Sequence, residues 1–323
     1  MKILWHACVL LAGLALAPLA NAQESYPARP VRIIVGFGAG GISDVMARLL
    51  SVELQKTWGQ PVVVENKPGA SGVIGAELVA KSPPDGYVLM LASGTHTITP
   101  ALRLKMPYDA VRDFTAITLL ASAPNMLVVN ADTAFRSVAD YIAAAKAKPG
   151  EVNYATSGIG TTVHIAGERL AHLAGVRLNH IPYRSSSQSV EAVVAGQVMS
   201  SWSAVNAALP HIKSGRVRAL AVASEKRSSF APDVPTFEEL GVKGMKSDTW
   251  LGMLGPPNMP AAVATKINAE LARLLVRPDF REKVLGLGAE PVAGVALEKY
   301  SALMRDEIDS YAAIIKVANI KPE

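Results

Sequence analysis

The stretch RIIVGFGAGGISD, from Arg32 to Asp44, decides how the chain begins to fold. An apolar run ends in a glycine loop, starting at Gly36, that matches the pattern G-x-G-x-x-G. A helical pattern follows, with Ser43 or Asp44 placed to cap it, and PVVVE then supplies a second strand ending in Glu65. This order is typical of a dinucleotide-binding unit. A carboxylate satisfies the same physics as a pyrophosphate, because glycines admit close approach and helix amides bind anions.

The first 22 residues have the composition of a secretory signal peptide. Lys2 is their only charge, CVLLAGLALA is an apolar core too short to span a bilayer, and Ala20-Asn21-Ala22 matches a cleavage site. We therefore predict a mature chain that begins at Gln23 and works in the periplasm. Nicotinamide cofactors are scarce there, so this prediction disfavours a nicotinamide-dependent oxidoreductase and any cofactor.

The composition of the predicted mature chain suits a soluble protein that binds a small anion, and a positive charge that serves only solvation is an equal alternative. The single cysteine, Cys8, lies in the predicted signal peptide, which excludes thiol chemistry and disulfides from the mature chain. Removing Lys2 lowers the net charge from +5 to about +4. The basic residues are scattered, without the dense run that nucleic-acid binding favours. No later apolar run reaches membrane-spanning length.

Strand-like and helix-like segments alternate along the chain. VRIIVGF, PVVVEN and YVLMLAS indicate three strands separated by two helices, which predicts a mostly parallel sheet covered on both faces. FTAITLLASAPNMLVVN is typical of a strand that leaves this sheet and joins a second one, and VRALAVAS of a strand that returns. We therefore predict an α/β fold of two doubly wound sheets, joined by two crossover strands near residues 118–130 and 217–224.

The crossovers divide the chain into two lobes. Lobe 1 is predicted to comprise residues 23–122 and 227–323, and lobe 2 residues 123–226. Helical periodicity dominates residues 261–287 and 297–317, and these C-terminal helices are expected to pack on lobe 1. The cleft between the lobes is the expected ligand site, and the crossovers are the expected hinges for closure.

A second glycine loop lies in YATSGIGTTVHIAGE. Ser157, Gly158, Gly160, Thr161 and Thr162 precede a helix that carries His164, so hydroxyls and free amides are available for a second carboxylate. An ordinary glycine turn with threonine caps is the alternative for this loop taken alone. Two such loops, one in each lobe, favour a facing pair.

Signals for catalysis or a metal are weak. His164, Glu168 and His172 are spaced four residues apart on one helix, but this set lacks a further ligand and is not H-E-x-x-H. Ser71 is not in a G-x-S-x-G motif, and no spacing marks a catalytic triad. We expect neither a metal site nor an enzyme.

Polar residues also follow two other strands. SGTHTITP, residues 93–100, comes directly after a strand, at the end where open α/β sheets bind ligands. IPYRSSSQS places Tyr183, Arg184 and Ser185 at the equivalent point of the second lobe. Arg184 either pairs with a carboxylate or faces solvent.

These motifs occur together in one known family. The chain resembles the Bug-type (TctC-like) substrate-binding receptors of tripartite tricarboxylate transporters. The resemblance runs along essentially the whole mature chain and depends on blocks in a fixed order: YPARPVRIIVGFGAGGISD, VVENKPGASGVIGAE, SPPDGYVLMLASGTH, MPYDAVRDFTAIT, YATSGIGTTVHIAGE, IPYRSSSQSV, GRVRALAVAS and VPTFEELG.

The resemblance implies a two-lobed periplasmic-binding-protein (type II) fold without catalysis. It implies a monomeric receptor that delivers a small carboxylate to a two-subunit membrane permease. A sensor subunit that presents the ligand to a membrane-bound kinase is the alternative, and its chain would look the same. By this likeness the ligand-facing residues are Phe37, Ala39, Gly40, Ser43, Asp44, Ser93, Thr95, His96, Ser157, Gly158, Thr161, His164, Tyr183 and Ser185.

The sequence departs from the family pattern at several positions. The family often has proline where Gly36 stands, and acidic residues are usual at Met199 and, as an acid or amide, at Ser203. The absence of acidic groups at these two positions argues against a cationic or amino-acid ligand. Asp248 is placed either to contact ligand or to lie on a strand edge.

Overall fold

The computed structural model describes residues 26–102, 105–292, 294–318 and 320. The predicted signal peptide and the predicted start of the mature chain lie outside these residues. The strands are β1 (Val31–Val35), β2 (Val62–Asn66), β3 (Val88–Ser93), β4 (Thr115–Asn130), β5 (Asn153–Thr156), β6 (Asn179–Pro182), β7 (Ser200–Ala204), β8 (Val217–Val222), β9 (Asp248–Gly255) and β10 (Glu290–Pro291). The helices are α1 (Ile42–Trp58), α2 (Val73–Ala80), α3 (Thr95–Leu102), α4 (Val138–Ala147), α5 (Thr162–Ala174), α6 (Ser186–Val194), α7 (Val205–Lys213), α8 (Ala261–Val276), α9 (Pro278–Gly286) and α10 (Leu297–Val317).

The first sheet has the strand order β2-β1-β3-β9-β4, with β10 added beside β4. The three N-terminal strands are parallel, as predicted, and Val35 pairs with both Asn66 and Leu91. β9 lies antiparallel between β3 and β4. The sheet is therefore mixed, because β9 enters from the opposite direction after the chain has visited the second sheet.

The first crossover strand is confirmed. β4 pairs with β9 from Thr115 to Pro124 and then with β7 and β8 as far as Asn130, so one strand belongs to both sheets. The change of partner falls at Pro124 and Asn125. A proline suits this point because it has no backbone N–H to donate to a ladder.

The second predicted crossover was wrong in its position. β8 pairs antiparallel with β4, Val222 opposite Met126, and stays in the second sheet. The return is made by residues 223–247, which lead into β9. At this return, Ala223 N donates to Asn125 O at 2.8 Å and Ser247 N donates to Ala223 O at 2.7 Å. The apolar pattern of β8 records that the strand is buried, but burial does not specify which sheet contains it.

Each sheet is covered on both faces, which confirms the doubly wound arrangement. One face of the first sheet packs on α1 and α8, and the other packs on α2 and α10. The second sheet packs on α4 and α5 on one face and on α6 and α7 on the other. A smaller apolar cluster, including Ile98, Ile165 and Tyr311, joins α3, α5 and α10 across the two sheets.

The C-terminal helices pack on the first sheet, as expected. The helical pattern predicted over residues 261–287 forms two helices, because Pro278 at the start of α9 ends α8 at the preceding turn. The pattern over residues 297–317 forms the single helix α10. None of the helices in the described part of the chain combines the length and apolarity needed to cross a membrane.

Candidate functional site

The predicted ligand residues follow the carboxyl ends of parallel strands in both sheets. The loops after β1 and β3 leave the same edge of the first sheet, since Val35 pairs with Leu91. The loops after β5 and β6 do the same in the second, where Thr156 pairs with Pro182. The two edges meet, because a Cβ built on Gly94 would lie only 3.1 Å from Cγ2 of Thr162. The fold therefore brings the loop clusters of the two lobes to one junction.

The first glycine loop, Gly36 to Gly41, presents an open backbone ahead of α1. Gly38, Ala39 and Gly40 are exposed, and a Cβ built on Gly38 or Gly40 would meet no atom within 4 Å. The expected cap by Ser43 or Asp44 was wrong: Gly41 is the N-cap, and no side chain in the described structure caps α1. The amides of the first turn of α1 are thus left available.

Asp44 holds this loop in place. Its Oδ2 accepts from Gly40 N at 2.9 Å, and its Oδ1 accepts from Nδ2 of Asn66 at 3.0 Å. The guanidinium of Arg48 donates to the same carboxylate, and together with these hydrogen bonds it lowers the pKa of Asp44 to about 2. Asn66 also donates to Phe37 O at 3.0 Å. The carboxylate is occupied by loop and helix groups, so its role here is to shape the loop.

Gly36 allows two backbones to approach closely. A Cβ at this position would lie 2.9 Å from Cα of Gly72, and a Cβ built on Gly75 would lie 3.0 Å from Cα of Gly36. Next to this contact, Ala70 and Ser71 have positive φ angles of 50° and 56°. Gly36 thus allows the end of β1 to pack against the turn before α2.

Of the predicted ligand residues at the end of β3 and just after it, some lie at the edge of the first sheet and one is buried in its core. Ser93 ends β3, and Thr95 begins α3, a helix that the sequence pattern did not predict; their hydroxyls are 3.5 Å apart. His96 is 5% exposed, its ring centroid lies 4.8 Å from that of Phe114, and its Nε2 donates to Ala110 O at 2.8 Å. Burial lowers the pKa of His96 to about 4, so the ring is neutral. This side chain packs in the core under the first sheet, away from the loops.

The second glycine loop, Ser157 to Thr161, uses most of its polar groups internally. Thr161 is the N-cap of α5, accepting from His164 N and donating to Gly158 O at 2.7 Å. Gly158 N donates to Thr156 Oγ1 at 3.1 Å. Among the described residues, the Ser157 hydroxyl has no hydrogen-bond partner, which leaves it available for a ligand.

His164 lies beneath this loop. Its Nδ1 accepts from Gly160 N at 3.2 Å, and its ring stacks on that of His180 at 4.0 Å between centroids. Burial, with the neighbouring imidazole, lowers the pKa of His164 to about 3, so it is a neutral support. Its Nε2 lies 3.9 Å from Glu168, whereas His172 is exposed. The three residues at helical spacing therefore do not converge.

The remaining predicted residues lie around the second sheet. Tyr183 is half-buried, and its N donates to Thr156 O; Ser185 is the N-cap of α6. Arg184 is exposed. Ser203 is fully buried, and its hydroxyl has no partner among the described residues.

Two polar residues of this region, Asn66 and Thr249, were missed by the sequence analysis. Asn66 ends β2 and bridges Phe37 to Asp44, and the rule applied to β1 and β3 would have found it. Thr162 and Thr249 share a hydrogen bond of 2.6 Å between the two lobes. The rule that searches the carboxyl ends of strands does not find Thr249. β9 runs antiparallel to β3, so its first residues, not its last, lie at the ligand-binding edge of the sheet.

Comparisons with known proteins give one consistent family. The sequence model described as the tripartite tricarboxylate transporter family receptor (TctC) matches residues 46–320. The protein BugT of Bordetella pertussis is 35% identical over 315 residues, which cover 97% of this chain and 95% of BugT.

Two similar structures were solved with ligands. The Rhodopseudomonas palustris protein Rpa4515 with adipate is 32% identical, with a TM-score of 0.79, and the match covers 92% of this chain and 100% of that one. MatC from Rhodopseudomonas palustris with bound malate is 30% identical, with a TM-score of 0.75, and the match covers 90% of this chain and 100% of that one. The sequence model, the relative and the shared two-lobed fold agree, and the chain belongs to the Bug-type, TctC family of tripartite tricarboxylate transporter receptors.

Proposed function

We propose that this protein is a periplasmic solute receptor that binds a small carboxylate between its two glycine loops. The observation that carries the proposal is the open N-terminus of α1, where exposed backbone follows Gly38 and no described side chain caps the helix. Free amides at a helix N-terminus attract an anion. The second loop precedes α5, whose first turn contacts the edge of the first sheet. A ligand held from both sides favours the closed arrangement of the lobes.

The relatives narrow the ligand class. The ligands named for the two solved relatives, adipate and malate, are both small dicarboxylates. A molecule with two carboxylates has one for each glycine loop, which matches a site built from two similar loops. We therefore propose an aliphatic dicarboxylate as the ligand, without a cofactor and without a reaction.

We propose that most of the predicted ligand residues fall into two groups, those that support the loops and those that contact the ligand. Asp44, Thr161 and His164 are hydrogen-bonded to groups of the two loops, and we propose that they support the loops. His96 packs in the core, and we propose that it makes no contact with the ligand. The proposed ligand contacts are free backbone amides of the first loop and hydroxyls near both edges: Phe37, Ala39, Ser43, Ser93, Thr95, Ser157, Tyr183 and Ser185. The amides of Gly40 and Gly158 donate to Asp44 and Thr156, and we propose that these two glycines only allow the ligand to approach the backbone closely.

We propose lobes that follow the two cores. Phe237 and Met245 pack with Trp202 in the core of the second sheet. On this basis the second lobe extends to residue 247, beyond the boundary at 226 expected from the sequence. The first lobe comprises the residues before β4 changes sheets and those from β9 onward.

Transport to a two-subunit permease by a monomeric receptor is the physiological role we propose. A strain that lacks this gene would lose uptake of the ligand while its inducible genes still respond. The kinase-sensor alternative gives the reverse result, with lost induction and normal uptake.

The ligand site is tested by a matched pair of variants, Ala39→Asp and Ala39→Asn. Ala39 is exposed, so neither change disturbs the core. The aspartate adds a negative charge of nearly the same shape, and calorimetry with malate and adipate should show affinity at least about tenfold weaker than in the asparagine variant. Equal affinities in the two variants would exclude the first glycine loop as the carboxylate site.

A second variant, Ser157→Ala, tests the other loop. Its hydroxyl has no partner within the described residues, so its removal should leave the unfolding curve unchanged and weaken binding by about fivefold to tenfold. Unchanged affinity would remove Ser157 from the site. Native mass spectrometry of the purified protein identifies any acid that it carries.

A further inference from the structure

A cavity of about 560 Å³ lies at the junction of the two sheets, apart from the glycine loops. β4 and β9 form one wall, α10 forms another, and Arg169 reaches it from α5. Trp250 and Tyr311 give it large apolar surfaces. None of the residues predicted to face the carboxylate ligand lines this cavity.

The charges around the cavity do not balance. Four carboxylates line it, those of Glu225, Asp248, Asp306 and Glu307, against two cations, Arg169 and Lys246. Lys246 is already paired with Glu225 at 2.6 Å. Arg169 makes its closest bond to the Ser310 hydroxyl, at 2.9 Å, and has no carboxylate partner within the described chain. When all four carboxyls are ionised, the lining therefore has two more negative charges than positive ones.

Asp248 is the carboxylate of this set that has a buried oxygen without a partner in the described structure, although its carboxyl group also interacts with the Ser122 hydroxyl. Its Oδ1 is buried and has no hydrogen-bond partner among the described residues. Burial raises the pKa of Asp248 to about 7, although Lys246 acts in the opposite direction. Glu307 is half-buried, and its Oε2 accepts from Trp250 Nε1 at 2.7 Å; partial burial raises the pKa of this carboxyl as well. A desolvated carboxylate without a cation is unfavourable unless a partner arrives.

We propose that this cavity binds a small organic cation, a protonated amine with a short apolar chain. The ammonium group lies between Asp248 and Glu307, and the apolar chain lies against Trp250 and Tyr311. The ammonium supplies the missing charge and donors for the unpartnered carboxylate oxygen. Aromatic faces add a favourable surface for a cation and its methylene groups.

An organic cation fits better than a metal ion or an anion. Within the described residues, no group of three or more histidine, aspartate, glutamate or cysteine side chains is arranged to hold a metal. The apolar walls also give a bare ion no partner. An anion bound in the cavity would lie near Arg169, but it would also lie near at least three carboxylates, which repel it.

The test is calorimetric titration of the full chain with n-butylammonium chloride at pH 8, with 1-butanol as the neutral isostere. We expect n-butylammonium to bind and 1-butanol to bind at least about tenfold more weakly. Asp248→Asn keeps the side-chain shape and should weaken n-butylammonium binding by a similar factor. Asp309→Asn, on an exposed position of α10 outside the cavity, is the matched control and should bind as the wild type does.

A pH series provides a check that needs no variant. The charged groups that act on Asp248 are Lys246, Glu225, Glu290 and Tyr311. Ionisation of a carboxyl with a pKa near 7 should raise the wild-type affinity for n-butylammonium about tenfold between pH 6 and pH 8. A flat pH profile, equal binding of amine and alcohol, or unchanged affinity in Asp248→Asn overturns the proposal.

Discussion

The hydroxyls of Thr162, in the first turn of α5, and Thr249, on β9, are hydrogen-bonded at 2.6 Å and link the two sheets. Asn125 Nδ2 also reaches Thr162 Oγ1, at 3.2 Å, from the point where β4 changes partners. The contact is therefore part of the junction about which the lobes would move.

Replacing Thr162 with valine keeps its shape and removes this link. We expect Thr162→Val to lower the free energy of unfolding by about 1–2 kcal/mol, because Thr249 and Asn125 lose their shared partner. Urea denaturation measures the change. The Thr162→Val/Thr249→Val double variant should cost less than the sum of the single variants. Additive costs would show that the two hydroxyls do not stabilise each other.

Asp44→Asn should loosen the first glycine loop. The folded-state pKa of Asp44 is lowered to about 2, so its ionised form stabilises the protein above the ordinary pKa of 3.8. That contribution is lost as the pH falls from about 4 to about 2. At pH 7 the variant should be less stable by about 1–2 kcal/mol, a figure reduced because Arg48 is half-exposed.

The same experiment on Asp233→Asn is the control, since Asp233 is exposed. Denaturation of both variants at pH 7 and pH 3 separates the two cases. A stability difference between wild type and Asp44→Asn that does not shrink at the lower pH would contradict the role assigned to the carboxylate.

His96→Gln should change how stability depends on pH. The folded-state pKa of His96 is about 4, below the unfolded value of 6.5, so the unfolded chain binds an extra proton between these limits. His96 therefore reduces stability as the pH falls from 6.5 towards 4. Relative to wild type, the glutamine variant should gain about 1–2 kcal/mol between pH 7 and pH 5.

The matched control is His172→Gln, because His172 is exposed on α5. Its stability should follow that of the wild type over the same pH interval. If His96→Gln and His172→Gln give parallel curves, His96 is not a buried neutral histidine. Buried carboxyls such as Glu168 contribute in the opposite direction, so the difference between variants is the quantity to measure.

Gly36→Ala and Gly38→Ala form a matched pair within the first glycine loop. A Cβ on Gly36 would lie 2.9 Å from Gly72 Cα, whereas one on Gly38 has no neighbour within 4 Å. We expect the first change to cost about 1–3 kcal/mol by overpacking and the second to stay within about 0.5 kcal/mol. Thermal denaturation with and without malate provides both stability and binding. Equal stabilities would remove the close approach as the reason for glycine at residue 36.

Much of the fold was predictable because its signals are local. The parallel strands β1 to β3 follow from apolar runs separated by helical patterns, and the proline in the middle of β4 marks its change of sheet. The position of β8 was not predictable in the same way. A strand buried on both faces has the same apolar pattern in either sheet, and its partner is chosen by contacts far along the chain.

The site was predictable to the level of loops but not of side chains. Strand ends and glycines located both loops. The sequence does not show that the His96 side chain packs in the core beside Phe114. It also does not show that the Asp44 carboxylate accepts hydrogen bonds from Gly40 and Arg48. These orientations depend on which neighbours fill the space around each side chain, and those neighbours come from distant segments.

The contact between β4 and residues 223–247, which lead back to the first sheet, has a consequence for how the chain evolved and for how it can be engineered. Residues 125–247 form one uninterrupted piece, and its two ends touch, with Asn125 Nδ2 3.4 Å from the Ser247 hydroxyl. A piece whose ends adjoin can be gained or removed as a unit, because a short turn suffices to reconnect the remainder. The same geometry makes this point a natural place to exchange one receptor's second half for another's while leaving β9 and the C-terminal helices in their places.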